Sequence, residues 1–68
     1  MEKYSYRGSY ITKRDAGRIL GSAYHIPQDD ALRRFEANAH SAFRYNRGIT
    51  YYTDSYTGIT LHRNVGRV

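Results

Sequence analysis

The sequence predicts a small α+β domain: two helices followed by a β-hairpin, with a short strand or ordered arm ahead of them. Three observations carry that prediction. Residues 13–45 hold apolar side chains at helical spacing, residues 48–63 switch to runs rich in Ile, Thr and Tyr, and a chain of 68 residues is one domain's length. A domain this size buries only about 60% of the surface its unfolded chain exposes, so its stability margin is thin. With no cysteine it has no disulfide, no CxxC redox pair and no thiolate metal site, which fits a reducing compartment.

The first segment, Tyr4 to Ile11, alternates loosely, with Tyr4, Tyr6 and Tyr10 on one side and Ser5, Arg7 and Ser9 on the other. Residues 1–10 are thus a strand or an arm. Thr12 stands three residues before Asp15, a relative of the Ser/Thr capping box, and Ala16, Ile19, Leu20 and Ala23 follow at i, i+3, i+4, i+7. This spacing predicts a helix over Lys13 to Tyr24. Gly17 and Gly21 lie inside it, each costing about 1 kcal/mol relative to alanine. They are either a smooth strip where another backbone approaches or the mark of a weak helix that frays early.

Pro27, followed by Asp29 and Asp30, opens a longer helix from Pro27 to Tyr45. Proline lacks the N–H that a first turn leaves unpaired, and the carboxylates complement the positive end of the helix dipole. Leu32, Phe35, Ala39, Ala42 and Phe43 fall within roughly 100° of arc and form the core-facing side. Beside them Arg33, His40, Arg44 and Arg47 form a basic stripe.

After Gly48 the period becomes that of strands: GITYYTD and TGITLHR read as a hairpin whose loop ends at Gly58. Alternation puts Ile49, Tyr51, Ile59 and Leu61 on the core face and leaves Tyr52, Tyr56, His62 and Arg63 to the outer face or the tip. Tyr24, Tyr45 and Tyr51 are expected at the core rim, and Tyr6, Tyr52 and Tyr56 at the contact surface. Residues 64–68 are expected to fray.

Eight tyrosines and nine arginines in one short chain, with a net charge of +5 and a sequence pI near 9.8, point to an anionic partner. Tyrosine offers a flat face with a polar tip, and arginine a permanent charge in a planar fork. Chemistry is poorly represented. His25, His40 and His62 lie on three different elements, with no HExxH; Asp29 and Asp30 are adjacent, so their side chains diverge; neither GxSxG nor a phosphate loop is present. The expectation is a protein that is not an enzyme and uses no cofactor or metal. No apolar run approaches the roughly 20 residues of a membrane span, and the opening MEKYSYRGSY lacks a signal peptide's apolar stretch, so a cytoplasmic location with no membrane partner is expected.

The run YITKRDAGRILG, Tyr10 to Gly21, resembles the opening of excisionase and MerR-type winged-helix DNA-binding domains, where a Leu-Thr start leads into a helix of the form xEAAxxLG. Thr12, Asp15, Ala16, Leu20 and Gly21 match in type and spacing. The resemblance implies a winged-helix-like layout, with a helix in the major groove and the hairpin as a wing. The sequence departs from that pattern by inserting Ser22 to Pro27 and by placing Asp29 and Asp30 where a recognition helix would meet phosphates. Contacts would then come from Arg33, Arg44 and Arg47 along the helix and Arg63 on the wing, with no base-reading residue implied.

Two functions follow as expectations. One is a basic nucleic-acid-binding regulator of the excisionase or repressor kind, DNA being the favoured partner over RNA. The other is a phage- or plasmid-encoded inhibitor of host defence, of anti-CRISPR or anti-restriction type, or of host transcription, docking on an acidic or nucleic-acid-binding protein surface. Both use the same candidate residues: Arg33, His40, Arg44, Arg47, Tyr52, Tyr56 and Arg63. A homodimer is compatible with either, since small chains without staples often lean on a second subunit.

Overall fold

The computed structural model describes residues 2–63. The tail at 64–68, expected to fray, lies outside the described residues. The chain forms strands β1 (Lys3–Tyr6) and β2 (Ser9–Ile11), helices α1 (Lys13–Tyr24) and α2 (Gln28–Tyr45), and strands β3 (Tyr51–Thr53) and β4 (Thr60–His62). The α+β prediction of two helices followed by a hairpin is borne out. The N-terminal segment is not one strand but two.

The four strands make one antiparallel sheet in the order β2-β1-β4-β3. Tyr6 and Ser9 close a two-residue turn at Arg7 and Gly8, whose φ angles of 53° and 82° are both positive. That is the backbone of a turn matched to the twist of paired strands, and glycine supplies its second position without steric cost. The turn reverses the chain, so Tyr10 lies on the opposite face from Tyr4 and Tyr6, against the sequence expectation. β1 also pairs with β4 through Lys3↔His62, Tyr4↔Leu61 and Ser5↔Thr60, which joins the two hairpins.

Thr12 caps α1, its hydroxyl accepting the Asp15 N–H at 3.1 Å, and Asp15 lies in the first turn where the dipole favours it. The helix runs its full predicted length and closes on His25 in a left-handed conformation at φ 59°, its N–H donating to the Gly21 carbonyl. The glycine strip is therefore a packing surface and not a fraying end. A Cβ on Gly21 would stand 2.9 Å from the Ile26 carbonyl oxygen and 3.2 Å from Gln28 Cα, so only glycine lets the start of α2 come this close. Pro27 is the N-cap of α2 rather than its first residue, and no side chain caps the helix.

The helices cover one face of the sheet. Tyr4, Ala16, Leu20, Ala31, Phe35, Ala39, Phe43, Ile59 and Leu61 are buried together, and Ile11, Leu32, Ile49 and Tyr52 pack half-buried against them. Phe35 is central, with its ring 6.1 Å from Tyr4 and 5.6 Å from Tyr52. The Tyr4 hydroxyl crosses the layer to donate to the Glu36 carboxylate.

Several tyrosines depart from expectation. Tyr52, opposite Leu61, faces the helices, and Tyr51, opposite His62, faces outward at 56% exposure. The expected alternation assumed a strand beginning at Ile49. Ile49 does reach the core, but the chain bends at Thr50 and the strand starts at Tyr51, so parity is not inherited across the bend. Tyr45, on the last turn of α2, is 86% exposed instead of lining the core rim, and Tyr24 is also exposed. Tyr6, assigned to the surface, is half-buried against the core.

Candidate functional site

At the C-terminal end of α2, Phe43, Arg44 and Arg47 meet Arg63 at the end of β4 and Glu2 at the start of β1. Together with His40 they line an open cavity of about 500 Å³. His40 and Arg44 lie one turn apart on α2, and Asn46 ends the helix so that Arg47 falls in the following turn. Asn46 also fixes that turn, its side-chain oxygen accepting the Gly48 N–H at 3.1 Å. Arg63 arrives from the sheet because β4 is central and its C-terminal end lies beside the N-terminal end of β1.

The cavity is built around oriented arginine. The Arg63 guanidinium lies 5.1 Å from the centre of the Phe43 ring and donates to the Ile49 carbonyl at 3.4 Å, so a ring face and a backbone acceptor hold it in place. The Arg63 N–H donates to the Thr50 carbonyl at 2.9 Å, extending the hairpin past the last strand residue. His40 engages Glu2, its ring nitrogen 2.9 Å from the carboxylate. Among the described residues, Arg44, Arg47 and Arg63 form no ion pair, whereas Lys13, Arg18 and Arg33 pair with Glu36, Asp15 and Asp30. Three guanidinium groups therefore share a concavity with one carboxylate that is already occupied. A site of this composition attracts anions.

Four of the seven sequence-predicted residues, His40, Arg44, Arg47 and Arg63, come together here. The other three do not. Arg33 lies two turns back along α2 and is tied to Asp30 at 3.2 Å. Tyr52 is turned into the core against Phe35. Tyr56 is exposed as expected but sits at the hairpin tip, at the opposite end of β4 from Arg63, its ring 5.1 Å from Tyr24. There the Tyr24 hydroxyl donates to both Asp54 oxygens at 2.8 and 3.0 Å, and that hydrogen bond is the main cause pushing its pKa up to about 12.

Glu2 carried no sequence signal, because its place depends on β1 pairing with β4. Phe43 was read correctly as core, but its second role as the surface under Arg63 needs the sheet in position. Among the described residues no cluster of three His, Cys, Asp or Glu side chains is placed to hold a metal ion, and no helix is long and apolar enough to cross a membrane. No family model matches the chain, and no curated protein or solved structure was found to match it.

Proposed function

We propose that the protein is a small nucleic-acid-binding regulator that seats phosphate groups in the cavity of Arg44, Arg47 and Arg63, and that it acts by binding rather than by catalysis. The observation that carries this reading is the convergence of three arginines, from two separate elements, with no carboxylate paired to them among the described residues. A guanidinium fork matches two phosphate oxygens, and a bound phosphate removes the mutual repulsion of the three cations. A helix end beside a strand end suits a backbone running across the domain rather than a small molecule enclosed within it. The resemblance of Tyr10 to Gly21 to excisionase and MerR-type domains is in keeping with a regulatory role.

The test is fluorescence anisotropy with labelled oligonucleotides at about 50 mM salt, where phosphate contacts are strong. The wild type binds, and the double substitution Arg44→Ala, Arg47→Ala weakens binding while the melting temperature barely moves, since exposed charges change stability by no more than about 0.5 kcal/mol. No binding at low salt would sink the proposal.

A second reading, a protein-directed inhibitor, is favoured by the Tyr24–Tyr56 pair. Both rings are exposed, and they lie at the end of the sheet remote from the arginines. Tyr and Arg are the residue types most enriched at binding hot spots. Under this reading, immobilised protein retains one large partner from a host lysate treated with nuclease, and Tyr56→Ala releases it.

A further inference from the structure

The face of the sheet away from the helices is not a plain polar surface. Tyr10 on β2 and Tyr51 on β3 are 69% and 56% exposed, and the ring of His62 on β4 lies between them, 5.7 Å from Tyr10 and 6.3 Å from Tyr51. The two hairpins bring these rings together from positions 10, 51 and 62, because Tyr51 stands opposite His62 and β1, between β2 and β4, contributes only the short Ser5 and the flexible Lys3 to this face. Each ring is held. Ser5 Oγ and His62 Nε2 share a hydrogen bond at 2.9 Å, and the Lys3 ammonium sits 5.3 Å from the centre of the Tyr10 ring. The result is a row of three aromatic rings, inclined at 66° and 47° to their neighbours, with a cation over the Tyr10 ring. It adjoins the arginine cavity directly, since Glu2 and Lys3 are consecutive, as are His62 and Arg63, and one of each pair faces either side.

We infer that this outer face is a stacking platform for the unpaired bases of a single-stranded nucleic acid whose backbone phosphates enter the Arg44, Arg47 and Arg63 cavity. The inference rests on the proposed phosphate site and adds to it the class of nucleic acid. The rings stand 5.7 and 6.3 Å apart, well beyond the about 3.4 Å between neighbouring bases in a duplex strand, so they suit bases that have been splayed apart. A duplex keeps its base faces stacked on one another and offers none to the platform. Stacking of this kind is tolerant of sequence, because every base has a π-face. Charge complementarity selects nucleic acid over an apolar partner: Lys3 flanks the rings and the basic cavity lies at their edge.

The experiment compares four labelled ligands of equal length by anisotropy: single-stranded DNA, single-stranded RNA, duplex DNA and an abasic single strand that keeps its phosphates. The proteins are the wild type, Tyr10→Ala/Tyr51→Ala and Tyr10→Phe/Tyr51→Phe. Single strands are expected to bind more tightly than duplex or abasic DNA, and the alanine pair to lose about 10- to 100-fold in single-strand affinity. Abasic binding and its salt slope stay unchanged, and the phenylalanine pair, which keeps the ring faces, retains wild-type affinity. The DNA and RNA arms report which sugar is preferred; either preference supports the platform. Equal affinity for abasic and intact strands, or an alanine pair that binds as the wild type does, overturns the platform and leaves the phosphate site standing. Absence of binding to all four ligands overturns both. An alanine pair that melts early while the phenylalanine pair binds intact and abasic strands alike shows the rings to be cross-strand packing only, and a concentration-dependent dimer lost in the alanine pair shows them to be a self-association surface; either result overturns the platform.

Discussion

Gly17 and Gly21 carry the same residue type on the same face of α1, yet they should respond oppositely to alanine. A Cβ on Gly17 would meet the Gln28 carbonyl oxygen and Leu32 at an ordinary 3.7 Å, whereas one on Gly21 would press on backbone at 2.9 Å. Gly17→Ala should therefore raise stability by up to about 1 kcal/mol through helix propensity. Gly21→Ala should lower it by about 1–3 kcal/mol as α2 is pushed away. Urea melts of the two variants measure both signs, and equal responses would mean the close approach at Gly21 is not a constraint. Tyr4 gives a second residue-scale prediction. Burial raises its pKa first, followed by the hydrogen bond to Glu36 and the nearby carboxylates, so its phenol stays protonated well above the ordinary 10.0. The stability this contributes is complete below the unfolded pKa and is lost as pH rises through the folded one, because the unfolded chain ionises first. Melting temperatures taken upward from about pH 9 should fall steeply once tyrosine ionises near pH 10, and less steeply in Tyr4→Phe. Tyr24, raised by Asp54, acts in the same direction, but its exposure to solvent weakens the effect.

Among the elements, the helices were the most legible part of the sequence, because their apolar spacing, the Thr12 cap and Pro27 all agree with one another. The sheet was legible only in its second half. An Arg-Gly turn lacks the Asn-Gly or Asp-Gly signal of a two-residue hairpin, so β1 and β2 read as one strand. In the Tyr51-Tyr52 pair both residues have the same chemistry, and alternation alone cannot say which ring points inward; that is decided by the bend at Thr50. The arginine stripe was legible because helical period orders His40 and Arg44. Its union with Arg63 and Glu2 depends on strand order, which no local pattern encodes. The same strand order predicts the pattern of amide hydrogen exchange. β1 and β4 have a neighbour on each side and carry the buried Tyr4 and Leu61, while β2 and β3 are edges. Amides of β1 and β4 should exchange only on global unfolding, and those of β2 and β3 through local opening several-fold to many-fold sooner. Uniform rates across the sheet would argue that all four strands open as one cooperative unit.

For the molecule as a whole, charge and shape combine in one measurable quantity, the dependence of affinity on salt. Three arginines contacting the phosphates of a single strand give a slope of log affinity against log salt of about −2.1, or roughly 20-fold weaker binding from about 50 to 200 mM. The Arg44→Ala, Arg47→Ala variant leaves one contact, and its affinity should fall only about two- to threefold over the same range. A wild-type slope much steeper than this would bring further cations, such as Lys3 or Arg34, into the footprint; a flat slope would remove phosphate from the interface. Arg33, held by Asp30, should leave the slope unchanged when replaced by alanine.

The pairing of β1 with β4 also governs how the chain is made. Ser5 and His62, hydrogen-bonded across the sheet, are 57 positions apart. At about 5–20 residues per second, a ribosome needs roughly 3–11 s to synthesise the span between them. During that time β1 has only β2 beside it, and one long side of the nascent hairpin lies open to other chains. Two features suit that interval: the hairpin is short, and Lys3 and Arg7 place positive charge along it, which discourages edge-to-edge pairing with other copies of the same basic chain. Folding is thereby deferred until residues 60–62 emerge, and the N-terminal tyrosines reach their final surroundings last although they are made first.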